Sequence, residues 1–292
     1  MRKATRLTRW LWFSPPAGDL QSAEKELRRE IGAMPESAAT GEWQGFCAEL
    51  AASVARREVS QFLQWPVILE TMNVPWPDYL DAEFRYLREH PEWLRLKTAL
   101  QESVVGGNLP YWRYPWTSGN SVHHCYHVQK FLDRYRTKLA GFTRIFEFGG
   151  GYGNLCRIVR QTGYAGEYAI ADLPPFLALQ RYYLAATGSV ATLLAANDAS
   201  VWLASSDLRE ALFVATWSLS ESPLAAREAM AKFLPRFGGH LIAFQRTFAD
   251  IDNGAYFNDL AATLKPTHQT ALVEIEHLPH DFYFFALRNN AP

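Results

Sequence analysis

The chain is poor in cysteine. Its 292 residues include only three, Cys47, Cys125 and Cys156. An odd and widely spaced set makes no disulfide framework and points to a reduced, cytoplasmic compartment. Net charge is equally scarce, with 29 basic against 30 acidic residues. General nucleic-acid binding would need a basic surplus, so it is not expected. No apolar run reaches the length of a membrane span. The start, Met1 to Phe13, is basic, but its apolar stretch Trp10-Leu11-Trp12-Phe13 is too short for a signal peptide. A packed or flexible arm suits that segment better than contact with an anionic membrane surface. There is no internal repeat, no low-complexity tract and no G-x-x-x-x-G-K-[ST] loop, which leaves P-loop NTPase chemistry without support. What is plentiful is aromatic: 14% of the residues, 10 of them tryptophan. Such rings fill a core, and they also line pockets for sugar rings and other flat apolar surfaces. The length suffices for one large or two modest domains.

The densest signal is Arg144-Ile-Phe-Glu-Phe-Gly-Gly-Gly-Tyr-Gly-Asn-Leu-Cys156. A short apolar strand runs into a glycine cluster, and a helical segment follows. A second strand then ends in an acid, Tyr168-Ala-Ile-Ala-Asp172. Strand, glycine turn, helix and acid at the next strand tip form a nucleotide-binding unit. The glycine spacing fails the G-x-G-x-x-G pattern that cradles a pyrophosphate, because Asn154 or Cys156 stands where the last glycine belongs. The spacing E-x-G-x-G-x-G from Glu147 to Gly153 suits a ligand with one nucleoside and no pyrophosphate. S-adenosylmethionine is such a ligand.

The motif resembles that of class I S-adenosylmethionine-dependent methyltransferases. More narrowly, Glu147-Phe-Gly-Gly-Gly-Tyr-Gly-Asn154 with Asp172-Leu-Pro174 is similar to a family of sugar O-methyltransferases. The likeness covers residues 119–292. It implies a Rossmann-like class I methyltransferase fold, a mostly parallel seven-stranded sheet with a C-terminal antiparallel hairpin.

The chain's own pattern gives the same class independently. Residues 144–148, 167–172, 190–196, 211–217 and 239–246 read as strands. Helices over 152–162, 175–187, 222–234 and 254–264 follow all but the third of them. Strands 270–277 and 281–288 close the chain. Alternating units give a parallel sheet, and the closing pair adds an antiparallel strand. Upstream, residues 20–105 read as mostly helical, with a stripe from Glu42 to Trp65 that is imperfect between Val54 and Val59. A loop at 106–110 precedes the aromatic run Tyr111 to Trp116, and Ser121 is expected to cap a helix reaching about Leu139. The domain expectation is therefore a helical region over 1–118 that selects substrate, and a methyltransferase domain over 119–292.

Ligands of open α/β sheets bind beyond the carboxyl ends of the strands. The expected cofactor set is Glu147, Gly149, Gly150, Gly151, Tyr152 and Gly153 at the first tip, and Asp172 and Leu173 at the second. Asn197 and Asp198 follow at the third, where an ordinary turn is the equal alternative, and Trp217 and Ser218 at the fourth. Glu221 could face substrate or serve as a helix cap before Pro223. The fifth tip, from Gln245 to Thr247 with Asp250 and Asp252, is a candidate substrate edge. A sugar hydroxyl is a weak acid, so a general base is expected. The cluster Ser121-Val-His-His-Cys-Tyr-His127 offers His123, His124 and His127, with His123 and His127 on one helical face. The remaining histidines read as structural, and no metal site is assigned. The expected partner is a small-molecule or glycan substrate, and a homo-oligomer stays open. Methylation of nitrogen, carbon or a non-sugar hydroxyl, and a non-catalytic role in an assembly, are the alternatives.

Overall fold

The computed structural model describes residues 11–35, 43–73 and 77–289. The basic stretch up to Trp10 lies outside them. The chain divides into two compact units. One takes in the residues up to Tyr126 together with 150–164 and 172–193; the other takes in 127–149, 165–171 and everything from 194 onward.

In chain order the α-helices are α1 (Leu20–Gly32), α2 (Trp43–Arg56), α3 (Pro66–Thr71), α4 (Leu80–Glu89), α5 (Trp93–Ala99), α6 (Gly119–Tyr135), α7 (Asn154–Gln161), α8 (Pro174–Thr187), α9 (Ala196–Ser205), α10 (Leu224–Ala231) and α11 (Asn253–Leu264). The strands are β1 (Pro110–Tyr111), β2 (Tyr114–Ser118), β3 (Arg144–Phe148), β4 (Glu167–Ala171), β5 (Thr192–Leu194), β6 (Ala211–Thr216), β7 (Gly239–Gln245), β8 (Thr247–Phe248), β9 (Ile251–Asp252), β10 (His268–Glu274) and β11 (Asp281–Arg288).

The main sheet has seven strands in the order β10-β11-β7-β6-β3-β4-β5. β3 pairs in parallel with both β4 and β6, and β6 with β7. β11 is antiparallel to β7 and to β10. Counting only this sheet along the chain, the order is 3-2-1-4-5-7-6: a mostly parallel sheet closed by an antiparallel pair, as the alternation predicted, and the Rossmann-like fold that the resemblance implied. The central strands are near-continuous apolar runs, such as Ala-Leu-Phe-Val-Ala in β6, as parallel strands buried on both faces should be. The core of the second unit joins Phe146, Phe213, Ile242, Phe257 and Phe284. His240 belongs to that core. Its Nε2 donates to the Leu234 carbonyl at 2.8 Å, and burial pushes its pKa down to about 3.

In the first unit, α1 and α8 lie against one another, and just before α1 the Ala17 N–H donates to the Ala186 carbonyl at 2.9 Å. A Cβ on Gly18 would fall 2.5 Å from the Ala185 oxygen, so only glycine allows that approach. The Phe62 ring packs edge-on against Tyr152, Tyr182 and Tyr183, with centroids 5.7, 6.0 and 5.9 Å apart.

Two sequence readings need correction, and two elements are additions. The stripe over 42–65 is α2 followed by a short 3-10 helix, Val59–Gln64, and the break falls where the periodicity faltered. Ser121 is not a cap, because α6 begins at Gly119 and ends at Tyr135; the serine is buried inside its first turn. The aromatic run after the 106–110 loop carries no expected element, and it forms most of the β1–β2 hairpin. Helix α9 was not anticipated, and it carries Asn197 and Asp198 in its first turn.

Candidate functional site

β3 ends at Phe148, and the chain then turns through Gly149, Gly151 and Gly153, all at positive φ (72°, 58° and 94°). Gly149 shows why. A Cβ there would meet the Ser218 Cβ at 2.4 Å, so the first strand tip and the segment after β6 approach each other only without a side chain. Ser218 Oγ donates to the Phe148 carbonyl, and the Gly149 N–H extends the ladder to the Ala171 carbonyl at 2.8 Å. Gly153 stands just before α7. Tyr152 turns away from the loop: its ring is buried 4.9 Å from Tyr183, and its hydroxyl accepts from Asn120 at 2.9 Å. Only its backbone stays with the glycines. Glu147 is also buried and accepts the Tyr168 hydroxyl at 2.8 Å.

Asp172 follows β4 as predicted. Its carboxylate accepts the Leu173 N–H at 2.8 Å and the Gln180 amide at 2.7 Å. Leu173 is extended and Pro174 opens α8, where a proline's missing N–H costs nothing. Burial pushes the Asp172 carboxyl up to about 7, against the opposing pull of the Leu173 N–H, Gln180 and the Gly150 and Gly151 N–H groups. Gln180 was missed in the sequence. It also donates to the Gly151 carbonyl at 3.0 Å, tying the acid to the glycine loop. Its Oε1 is buried without a donor among the described residues. The available signal was a lone amide in an otherwise apolar helix. Asn197 and Asp198 follow β5, both exposed.

Trp217, just after β6, adopts φ 66°, a left-handed conformation that is a genuine outlier for a bulky side chain. Strain of this kind gathers at functional sites. Its N–H donates to the Ala243 carbonyl at 2.7 Å. Glu221 does not cap α10, which starts at Leu224 with no side-chain cap. Its carboxylate lies 3.4 Å from the Gln245 amide at the end of β7. Buried Arg227 braces this region by donating to the Ser220 and Ser222 carbonyls and to Asn253 Oδ1, the last at 2.6 Å. Of the fifth-tip acids, Asp252 caps α11 by accepting from the Ala255 N–H at 3.0 Å.

The three histidines of α6 each bond to a different side chain. His123 is buried, and its Nδ1 lies 2.8 Å from the carboxylate of Glu83, itself wholly buried. A carboxylate accepts, so Nδ1 carries a proton. Glu83 escaped the sequence reading although it sits three residues after Leu80 and four before Leu87, an acid inside an apolar stripe. His124 Nδ1 accepts from Asn154 Nδ2 at 3.2 Å. That amide's orientation is fixed because its Oδ1 accepts from Arg157 at 2.9 and 3.1 Å. Burial, with His123 and Arg157 nearby, pushes the His124 pKa down to about 3. Its ring therefore stays neutral, which suits structure better than base catalysis. His127 is wholly buried, with Nδ1 bonded to the Tyr283 hydroxyl and its ring edge-on to Trp217 at 5.2 Å.

No protein-family model and no curated protein matches the chain. Solved structures do. An S-adenosylmethionine-dependent methyltransferase from Aquifex aeolicus aligns with 55% of this chain and 89% of its own, at 15% identity and a TM-score of 0.40. An rRNA methylase from Streptococcus thermophilus aligns over 56% and 95%, at 14% and 0.43. A magnesium protoporphyrin IX methyltransferase from Synechocystis aligns over 73% and 97%, at 10% and 0.36. The likenesses are remote, and they say nothing of this chain's own substrate.

Within the first unit, the loop from Gly150 to Gly153, Asp172 and Gln180 make one cradle. It holds a carboxylate that the Leu173, Gly150 and Gly151 N–H groups and the Gln180 amide already meet, a buried amide oxygen lacking a donor, and backbone that glycine keeps bare. A ribose diol could donate to that amide oxygen and replace weaker donors on the carboxylate. No helix among the described residues is long and apolar enough to cross a membrane. The three cysteines are free and buried.

Proposed function

We propose that the protein is an S-adenosylmethionine-dependent O-methyltransferase acting on a sugar hydroxyl of a glycan or glycosylated metabolite. The observation that carries the cofactor assignment is the Asp172–Gln180 cradle beside the glycine loop. Asp172 would hold the ribose hydroxyls, and Gly149 to Gly153 would lie along the amino-acid part. Trp217 and Ser218 would wall the sulfonium side, with Asn197 and Asp198 toward the adenine. S-adenosylmethionine, when bound, supplies a methyl already activated on a sulfonium. The chain's work is to align the acceptor oxygen and remove its proton. His123 is the residue we assign to the proton, with Glu83 holding its tautomer so that Nε2 is the accepting nitrogen. Glu221 is assigned to the acceptor edge. Residues 1–118 contribute Glu83 to the base and Met72, whose side chain stands against Gly151, so we assign this region to acceptor selection.

The test is calorimetric titration with S-adenosylhomocysteine, with NAD as the control. Micromolar binding of the first, about −8 kcal/mol, and none of the second is expected. The reverse would overturn the cofactor class.

The raised pKa of Asp172 adds a pH signature. Ribose hydroxyls need the ionised carboxylate, and below pH 7 a proton competes for it. Affinity for S-adenosylhomocysteine should therefore fall toward acid, about tenfold between pH 8 and pH 6. Asp172→Asn should lose about 1–3 kcal/mol of binding at pH 8 and abolish the slope. An unchanged slope in that variant would remove Asp172 from the ribose.

A further inference from the structure

The β1–β2 hairpin carries an exposed aromatic comb that the reaction does not use. Tyr114 and Trp116 alternate along β2 and share a face, and Trp112 stands in the turn just before them. Trp112 is 68% exposed and Trp116 is 40% exposed. Leaving two indoles in water forfeits burial that a folded chain normally takes, which marks a surface meant to be covered. The rings are also held firmly. Tyr114 stacks on Phe84 with centroids 5.5 Å apart, and Trp116 meets Trp12 edge-on at 4.6 Å. Arg113 lies over the Trp112 ring at 4.2 Å and is pinned by Asp81 at 2.6 Å. Asp81 in turn accepts the Tyr111 hydroxyl.

We infer that this comb is a docking platform for a neutral oligosaccharide, the part of a glycan acceptor that lies outside the reaction centre. The inference rests on the sugar reading proposed above. Its warrant is the chemistry of the face. Arg113 is matched by Asp81, while Arg85 acts on the same carboxylate and Arg88 on Tyr114, so an anionic surface is the competing occupant that the experiment must separate. The Arg113–Asp81 pair offers a fixed donor beside a fixed acceptor, which suits hydroxyls that donate and accept at once. The indole faces suit the flat C–H side of a pyranose. Rigid rings and a pinned guanidinium lose little freedom on binding.

The experiment screens the full chain on an array of neutral oligosaccharides built from glucose, mannose, galactose and N-acetylglucosamine. Each hit is then titrated by tryptophan fluorescence. We expect at least one hit, weakened tenfold or more in Trp112→Ala with Trp116→Ala and partly restored by phenylalanine at both positions. Melting temperature and S-adenosylhomocysteine affinity of these variants should match the parent, which excludes misfolding. No hit on the array overturns the platform, as does a hit indifferent to the double substitution. Vesicles of phosphatidylserine and phosphatidylcholine that bind the parent and not the variant, with no glycan hit, would make the face a membrane contact and overturn it too. Glycan binding without S-adenosylhomocysteine binding would sink the enzymatic reading and leave the platform standing.

Discussion

Replacing Arg157 with alanine is expected to cost about 3–5 kcal/mol of stability, on the order of 10 °C in Tm. The guanidinium is 1% exposed and lies 3.1 Å from Glu102, also 1% exposed. It donates to the Gln101 carbonyl at 2.6 Å, to Gln161 at 3.0 Å and to Ser121 at 2.8 Å, besides Asn154. Removing it leaves the Glu102 charge buried with uncharged donors, the hydroxyls of Ser118 and Ser121 and the Ser103 N–H. An uncompensated buried charge costs far more than the pair contributes. Lysine should not rescue, because a point ammonium cannot reproduce the fork that meets Glu102 and four uncharged partners. The double change Arg157→Met with Glu102→Gln should recover much of the loss, since it removes the charge with its partner. Thermal unfolding followed by circular dichroism decides it. A single variant melting within a degree or two of the parent would show that the network is dispensable.

The cofactor cradle was legible in the sequence because its parts are local. β3, the glycine turn and Asp172 follow within thirty residues and use residue types with special backbone or charge. Alternating apolar runs gave the sheet, since buried parallel strands have few other ways to be written. What escaped depends on distant partners or mixed signals. Glu83 and His123 stand forty residues apart, and only the fold joins an acid in one stripe to an imidazole in another. Gln180 looked like any helical amide until it bridged Asp172 and Gly151. The hairpin at 110–118 has no glycine or asparagine at its turn and carries Pro115, so strand signals there were weak. Helix α9 begins with Asn197 and Asp198, which read as a turn; an acid in a first helical turn is also favourable, and tertiary packing of Ala199 and Leu203 settled it.

The same long-range pairing makes His123 the residue whose loss should slow methyl transfer most. His123→Gln keeps a side chain of similar reach that can still donate toward Glu83, and it removes the basic nitrogen. The expected result is a fall in kcat of about 10²–10⁴-fold, the range for a positioned general base. Affinity for S-adenosylhomocysteine should hold, because that ligand carries no acceptor proton. Glu83→Gln should fall less, since the imidazole survives and loses only the partner that fixes its tautomer. His124→Gln should stay within a few-fold of the parent: its ring already accepts from Asn154, and burial holds it neutral. The readout is radiolabelled methyl transfer to a panel of sugar acceptors, with binding followed separately. Parent-like turnover in His123→Gln would pass the base to His127, where the same substitution with Tyr283→Phe would be compared next. The ordering of the three histidines follows from their partners, a carboxylate, an amide and a phenol. Only the carboxylate both orients an imidazole and stabilises the charge that a proton brings to it.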